Sequence, residues 1–239
     1  MKNLLFTGSI LVSSLVLAGC SSHEFSKTDQ ANVIIDKDKA ERLDVTLSIA
    51  AGYLHVSNGA KEWVEGELHY TSDKLKPKVS YKQTGNKGNV VIEHTNTKFS
   101  SFKGKNIKSS WDLQLSKYAP IDLEVNTGAS ETVLDLRGLQ LSSLNVNVGV
   151  GETTIDLSGD WEQDFDVDLS IGVGKSTIIL PKNVGVQIRS SNGIGQSEFR
   201  GFISKGDNVY VNQAYETAKV KITVDADYGI GETHFVQED

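Results

Sequence analysis

Asp164, Asp166 and Asp168 alternate with apolar residues, and Asp160 and Glu162 precede them. On an extended strand that spacing puts three carboxylates in a flat row on one face. A calcium ion wants oxygens converging from a curved loop, so the row reads as a solvated acidic face or as protection against edge pairing. Gly172-Val173-Gly174-Lys175-Ser176 echoes a phosphate loop. It lacks the Gly-x4-Gly-Lys spacing and leads into a strand, so the helix start that would bind the anion is missing. His23, His55, His69, His94 and His234 show no paired zinc spacing, and no Gly-x-Ser-x-Gly elbow is present. The reading is therefore no metal site, no cofactor and no catalytic residue. The enzymatic alternative is a polysaccharide-active surface, with Asp166, Asp168, Arg189 and Lys175 on one face and Trp161, Tyr210 and Tyr215 stacking on sugars.

Cys20 is the chain's single cysteine, and it closes Leu17-Ala18-Gly19-Cys20. Before it, Met1-Lys2-Asn3 leads into an apolar run from Leu4 to Leu17, too short to span a bilayer comfortably. This segment resembles the bacterial lipoprotein signal and its lipobox. The resemblance implies cleavage before Cys20 and a diacylglyceryl and fatty-acyl (palmitate) anchor on its thiol. Attachment to the cell membrane or envelope through that lipid, outside the cytoplasm, is the expected localisation. With the thiol consumed, disulfides, Cys-zinc sites and cysteine catalysis are excluded. Cleavage removes Lys2 and no acid, leaving 23 basic against 31 acidic residues. That balance argues against a nucleic-acid partner. No second hydrophobic run is long enough for a membrane helix.

A surface that must be ordered without disulfides needs a sizeable core, and the hydrophobic pattern supplies it as β-structure. Leu43-Val45-Leu47-Ile49, Ile121-Leu123-Val125, Leu144-Val146-Val148, Phe165-Val167-Leu169-Ile171, Val184-Val186-Ile188 and Val220-Ile222-Val224 all alternate with period two. No amphipathic helix is evident. An internal repeat punctuates the strands: Gly149-Val150-Gly151, Gly172-Val173-Gly174, Gly193-Ile194-Gly195 and Gly229-Ile230-Gly231, with a looser copy at Gly128-Ala129-Ser130. The first glycines stand 21, 23, 21 and then 36 residues apart, the last step holding an insertion around 201–214.

Each copy reads as strand, tight glycine turn, strand and return. Coils of about 21 residues suit a β-solenoid of stacked arches, in which each unit covers its neighbour. Stacked in sequence order, Val125, Val146 and Leu169 form one inner column and Leu134, Ile155, Ile178 and Phe199 another. Asn126, Asn147, Ser170 and Ser191 form one outer column, and Glu124, Asn145, Asp168 and Arg189 a second. The repeat glycines Gly128, Gly149, Gly151, Gly172, Gly174, Gly193, Gly195, Gly229 and Gly231 are expected at the turns.

Leu43 to Val56, followed by the Tyr70–Tyr81 stretch, resembles the "toast-rack" N-terminal domain of bacterial envelope proteins. The Gly-x-Gly coils are similar to the related adhesin-like β-solenoids and to the extracytoplasmic domain of Lia-type cell-wall-antibiotic-response proteins, without those proteins' N-terminal transmembrane helices. The resemblance covers roughly residues 40–236. It implies an all-β solenoid outside the cytoplasm and brings no catalytic residues. The chain then divides into a signal peptide at 1–19, a polar tether at 20–38, a toast-rack-like N-terminal β cap or subdomain at 39–115, and the repeat solenoid at 116–239.

The functional expectation is a lipid-anchored, non-catalytic structural or adhesin-like module of the cell envelope, linked to envelope stress. Its partner would be an envelope protein or a glycan. The partner surface is expected at the insertion between Arg200 and Ala218, or at Trp63–Tyr81.

Overall fold

A computed structural model of the protein describes residues 29–94 and 108–238. Cys20 and the signal segment lie outside the described residues. Among the described residues, thirteen strands form one hydrogen-bonded sheet: β1 Asp29–Ile35, β2 Arg42–Asn58, β3 Val64–Tyr70, β4 Pro77–Thr84, β5 Lys87–His94, β6 Ser109–Leu115, β7 Pro120–Asp135, β8 Gln140–Asp156, β9 Phe165–Pro181, β10 Gly185–Phe199, β11 Ile203–Gly206, β12 Val209–Val211 and β13 Lys221–Glu238. Among the described residues there is no α-helix, and so none that could cross a membrane.

The long strands are each a complete arch. In β8, Leu144, Val146 and Val148 are buried before the glycines, and Thr153 and Ile155 after them. The buried set changes from even to odd numbers. A straight strand would turn Thr153 and Ile155 to solvent, because side chains alternate. The corner at Gly149-Val150-Gly151 shifts the phase by one, so both arms face one interior. The same switch occurs in β2, β7, β9 and β13. The repeat glycines are thus corners inside continuous strands, not breaks between strands as the sequence suggested.

Stacking is parallel and in register. Val125, Val146 and Leu169 lie on successive rungs, as do Leu134, Ile155 and Ile178. One apolar core runs from Val33 to Phe235.

The order of the rungs differs from the sequence order. β13 lies between β9 and β10. Phe235 therefore separates Ile178 from Phe199, and Asp225 separates Asp168 from Arg189.

The first part of the chain continues the same sheet. β5 pairs with the first arm of β2 and β6 with its second arm, both parallel, so together they make one more rung in two pieces. β4 covers β5, and β3 and then β1 cover β6, all antiparallel. Residues 29–35, expected within the tether, form β1, because Val33 and Ile35 alternate into the core.

Candidate functional site

A groove of about 830 Å³ crosses the outer face of the stack. Its origin is local. At the first corner position Gly128, Gly149, Gly172 and Gly229 stack on one another. A Cβ on any of these would collide with a carbonyl oxygen of the neighbouring rung. Glycine is required there, and the missing side chains leave a furrow. Two residues earlier, Ser48, Asn126, Asn147, Ser170, Asp227 and Ser191 form a polar wall in register. Within it, Asn147 donates from Nδ2 to Asn126 Oδ1 at 2.9 Å, and Asn126 donates to Glu124 at 2.9 Å. One residue past the first glycine, Val150, Val173, Ile230 and Ile194 form an aliphatic ridge that is 53%, 42%, 51% and 73% exposed. Six rungs at about 4.8 Å give the groove a length of about 24 Å.

This arrangement offers amide and hydroxyl groups and one carboxylate, Asp227, on a regular repeat beside a glycine-floored furrow. Its groups stand in a row along the rungs, the geometry of an extended ligand of similar repeat.

The other candidates are placed differently. Asp164 accepts the backbone N–H of Lys221 at 2.8 Å and holds the start of β13. Asp166 and Asp168 lie on the outer face of the first arm of β9, with Arg189 two rungs away donating to both oxygens of Asp225 at 2.9 and 3.0 Å. Lys175 lies beyond the corner on the other arm, so the four residues do not share a face. Trp161 is buried, its indole donating to Leu157 O at 2.8 Å. Tyr210 stacks on Phe199 with centroids 3.6 Å apart, and the Tyr215 hydroxyl bonds Gln187 at 2.9 Å. Trp161 thus packs on Phe165 inside the core and Tyr210 packs against the core at the last rung, so neither presents a free sugar-stacking face.

The two regions expected to bind a partner both contribute to the fold. Trp63 is buried and donates to Asp38 at 3.2 Å. The insertion folds as β11 and β12, and β12 pairs with the first arm of β10. Its buried Asn212 donates to Pro181 O at 3.2 Å and Val184 O at 2.7 Å, and accepts from Val186 N–H at 2.9 Å. The groove itself was not singled out from the sequence. Its signal was present in the adjacent glycine and asparagine columns.

Histidines make isolated contacts. His55 meets Asp112 at 3.0 Å and His69 meets Glu67 at 3.3 Å, on strands separated by β6. Among the described residues, no three His, Cys, Asp or Glu side chains form a group that could hold a metal ion. His94 is buried at the split rung, accepting Ala50 N–H at Nδ1 (3.0 Å) and meeting Ser109 Oγ at Nε2 (3.2 Å). Burial pulls its pKa down to about 4. The carboxylates that depart clearly from their ordinary values do so downward. Tyr81 holds Asp38 low, Arg137 holds Asp135 low, and Arg200 with His234 holds Glu198 low.

The family model for the N-terminal domain of toast_rack matches residues 23–179, more than half of the chain. The chain belongs to the toast_rack N-terminal domain family. That match runs through the corners of β2, β7, β8 and β9, so the glycine-floored groove lies largely within it. The model for the C-terminal domain of the cell wall-active antibiotics response protein LiaF matches residues 137–234. No match was found among curated proteins.

Among solved structures, a candidate cell adhesion protein from Clostridium sporogenes ATCC 15579 is similar at 29% identity and a TM-score of 0.86. That similarity covers 89% of this chain and all of the other. A candidate adhesin from Bacteroides fragilis NCTC 9343 is similar at 10% identity and a TM-score of 0.33, over 87% of this chain and 97% of the other.

Proposed function

We propose that this protein is a non-catalytic binding module of the cell envelope, anchored by lipid on Cys20, that seats a linear envelope glycan in its groove. The geometry of the groove carries the reading: a polar wall with a repeat of about 4.8 Å beside a glycine floor, crossing six rungs. Sugar rings present apolar faces and hydroxyl edges in alternation, which fits an apolar furrow with amide and hydroxyl groups along one side. The names of the adhesion protein and the LiaF-type domain support a place at the envelope and in its stress response.

Two measurements test this. The purified protein should co-sediment with insoluble cell-wall polysaccharide, and Asn126→Leu with Asn147→Leu should weaken retention about tenfold without lowering Tm. Glycan cleavage that is lost in Asp168→Asn would establish the polysaccharide-active alternative instead. For the anchor, Cys20→Ser should abolish labelled fatty-acid incorporation and release the protein from membranes. Equal labelling of the variant would refute lipidation at Cys20.

A further inference from the structure

We propose that a second copy of this chain pairs antiparallel with the outer edge of β10, from Gly193 to Phe199, closing a two-fold dimer. The observation is an asymmetry between the ends of the stack. At the first end both arms are covered, one by β5 and β4, the other by β6, β3 and β1. At the last end, β12 and β11 cover the first arm of β10 only. Coverage stops at Ser190, whose N–H donates to Asn208 O at 3.1 Å. Beyond it, no strand among the described residues pairs with the far side of β10.

The consequence is visible in the side chains. Thr132, Thr153, Ser176 and Thr233 occupy one inward column and are buried, whereas Ser197 in the same register is half-exposed. Ile194 is the most exposed member of the aliphatic ridge.

Sheet proteins usually guard such an edge with lysine, proline or a bulge. The edge strand β4 carries Lys78 and Lys82. The stretch from Ser191 to Phe199 holds no proline and a single charge, Glu198. That charge is occupied by Arg200 at 2.7 Å and His234 at 2.9 Å. The edge therefore offers no charge by which to select an acidic or basic peptide, and self-pairing meets no like-charge repulsion.

Antiparallel pairing across a two-fold axis satisfies both identical edges in one contact and covers residues 193–199 in both copies. The hairpin geometry selects this arrangement over head-to-tail stacking. β12 and β11 project two strands, about 10 Å, past β10 on the first arm, which holds the β1 edge of a following copy away from β10. A two-fold partner runs in reverse and places its own hairpin at the opposite end of the paired strands. The proposal is independent of the ligand assigned to the groove.

The test uses the full chain in mild detergent, with sedimentation equilibrium and amide hydrogen exchange. The expected result is a concentration-dependent dimer in which the amides of residues 193–199 gain about tenfold or more in protection. Gln196→Lys and Gln196→Glu, at the exposed residue that meets its own counterpart on the two-fold axis of a 193–199 pairing, should each be monomeric with unchanged Tm, because like charges then sit side by side. An equimolar mixture of the two should dimerise again. A wild-type chain that stays monomeric at every accessible concentration would overturn the proposal. So would a dimer indifferent to Gln196→Lys, or a monomer whose 193–199 amides are already protected by its own residues.

Discussion

At Gly174 the backbone has φ 149° and a Cβ would overlap the carbonyl oxygen of Gly151 on the next rung. The residue has no room in conformation or in space. Gly174→Ala should therefore destabilise by about 3 kcal/mol or more, the upper range for strained backbone positions, read as a fall in Tm or in the urea midpoint. An unchanged midpoint would refute the corner geometry. His94 is the second residue whose position sets a measurable property. Its ring accepts Ala50 N–H at Nδ1, so the neutral tautomer carries its proton on Nε2 and donates it toward Ser109. The unfolded chain takes up a proton near the ordinary value of 6.5, whereas the folded protein resists until about 4. Between those values the unfolded state binds more protons, so stability is lost as pH falls through that window and levels off below it. At pH 4.5 the wild type should have lost about 2 kcal/mol relative to pH 7 from this group. His94→Gln should lack that component, and equal acid sensitivity of the two proteins would count against it.

Among the elements, β13 and the insertion decide how the stack ends. β10 and β13 carry interchangeable patterns, with Ile188 matching Val224 and Gly193 matching Gly229. Either could pack on β9, and Arg189 would meet an aspartate in both arrangements. The link from Pro181 to Gly185 is short, yet it can span two strand spacings of about 10 Å. What makes β10 terminal is β12 on its far edge, tied down by Asn212. Asn212→Ala strands one N–H and two carbonyls in a buried site and should cost about 2–4 kcal/mol. The loss should appear first as faster amide exchange in residues 185–190. Deleting the insertion would uncover β10 for the same reason, so this segment is part of the fold.

For the whole molecule, coils contact only their neighbours, which makes stability a sum along the stack. Because β13 lies between β9 and β10, the last rung has no partner until the C-terminal strand is in place. Truncation after Val220 should leave β7 and β8 protected from amide exchange while β10 and β12 lose protection. Uniform loss of protection throughout would show instead that the stack unfolds as one unit.

The sequence by itself determined the all-β class, the coil rhythm and the inner columns from β7 to β9. Period-two alternation and corner glycines are local properties, and each rung of that stretch meets the next rung in sequence. It also held the raw material of the groove, since Asn126 and Asn147 fall in one column and Gly128, Gly149 and Gly172 in another. That these columns border a furrow depends on the phase shift at the corner, which two-residue alternation does not reveal. The rung made from β5 and β6, the strand in residues 29–35 and the interposed β13 came only from the tertiary structure. The physical reason is shared. A rung accepts any strand with the right apolar spacing, so pairing partners of equal quality are distinguished by what covers their far edges, and that is settled by segments distant in the chain.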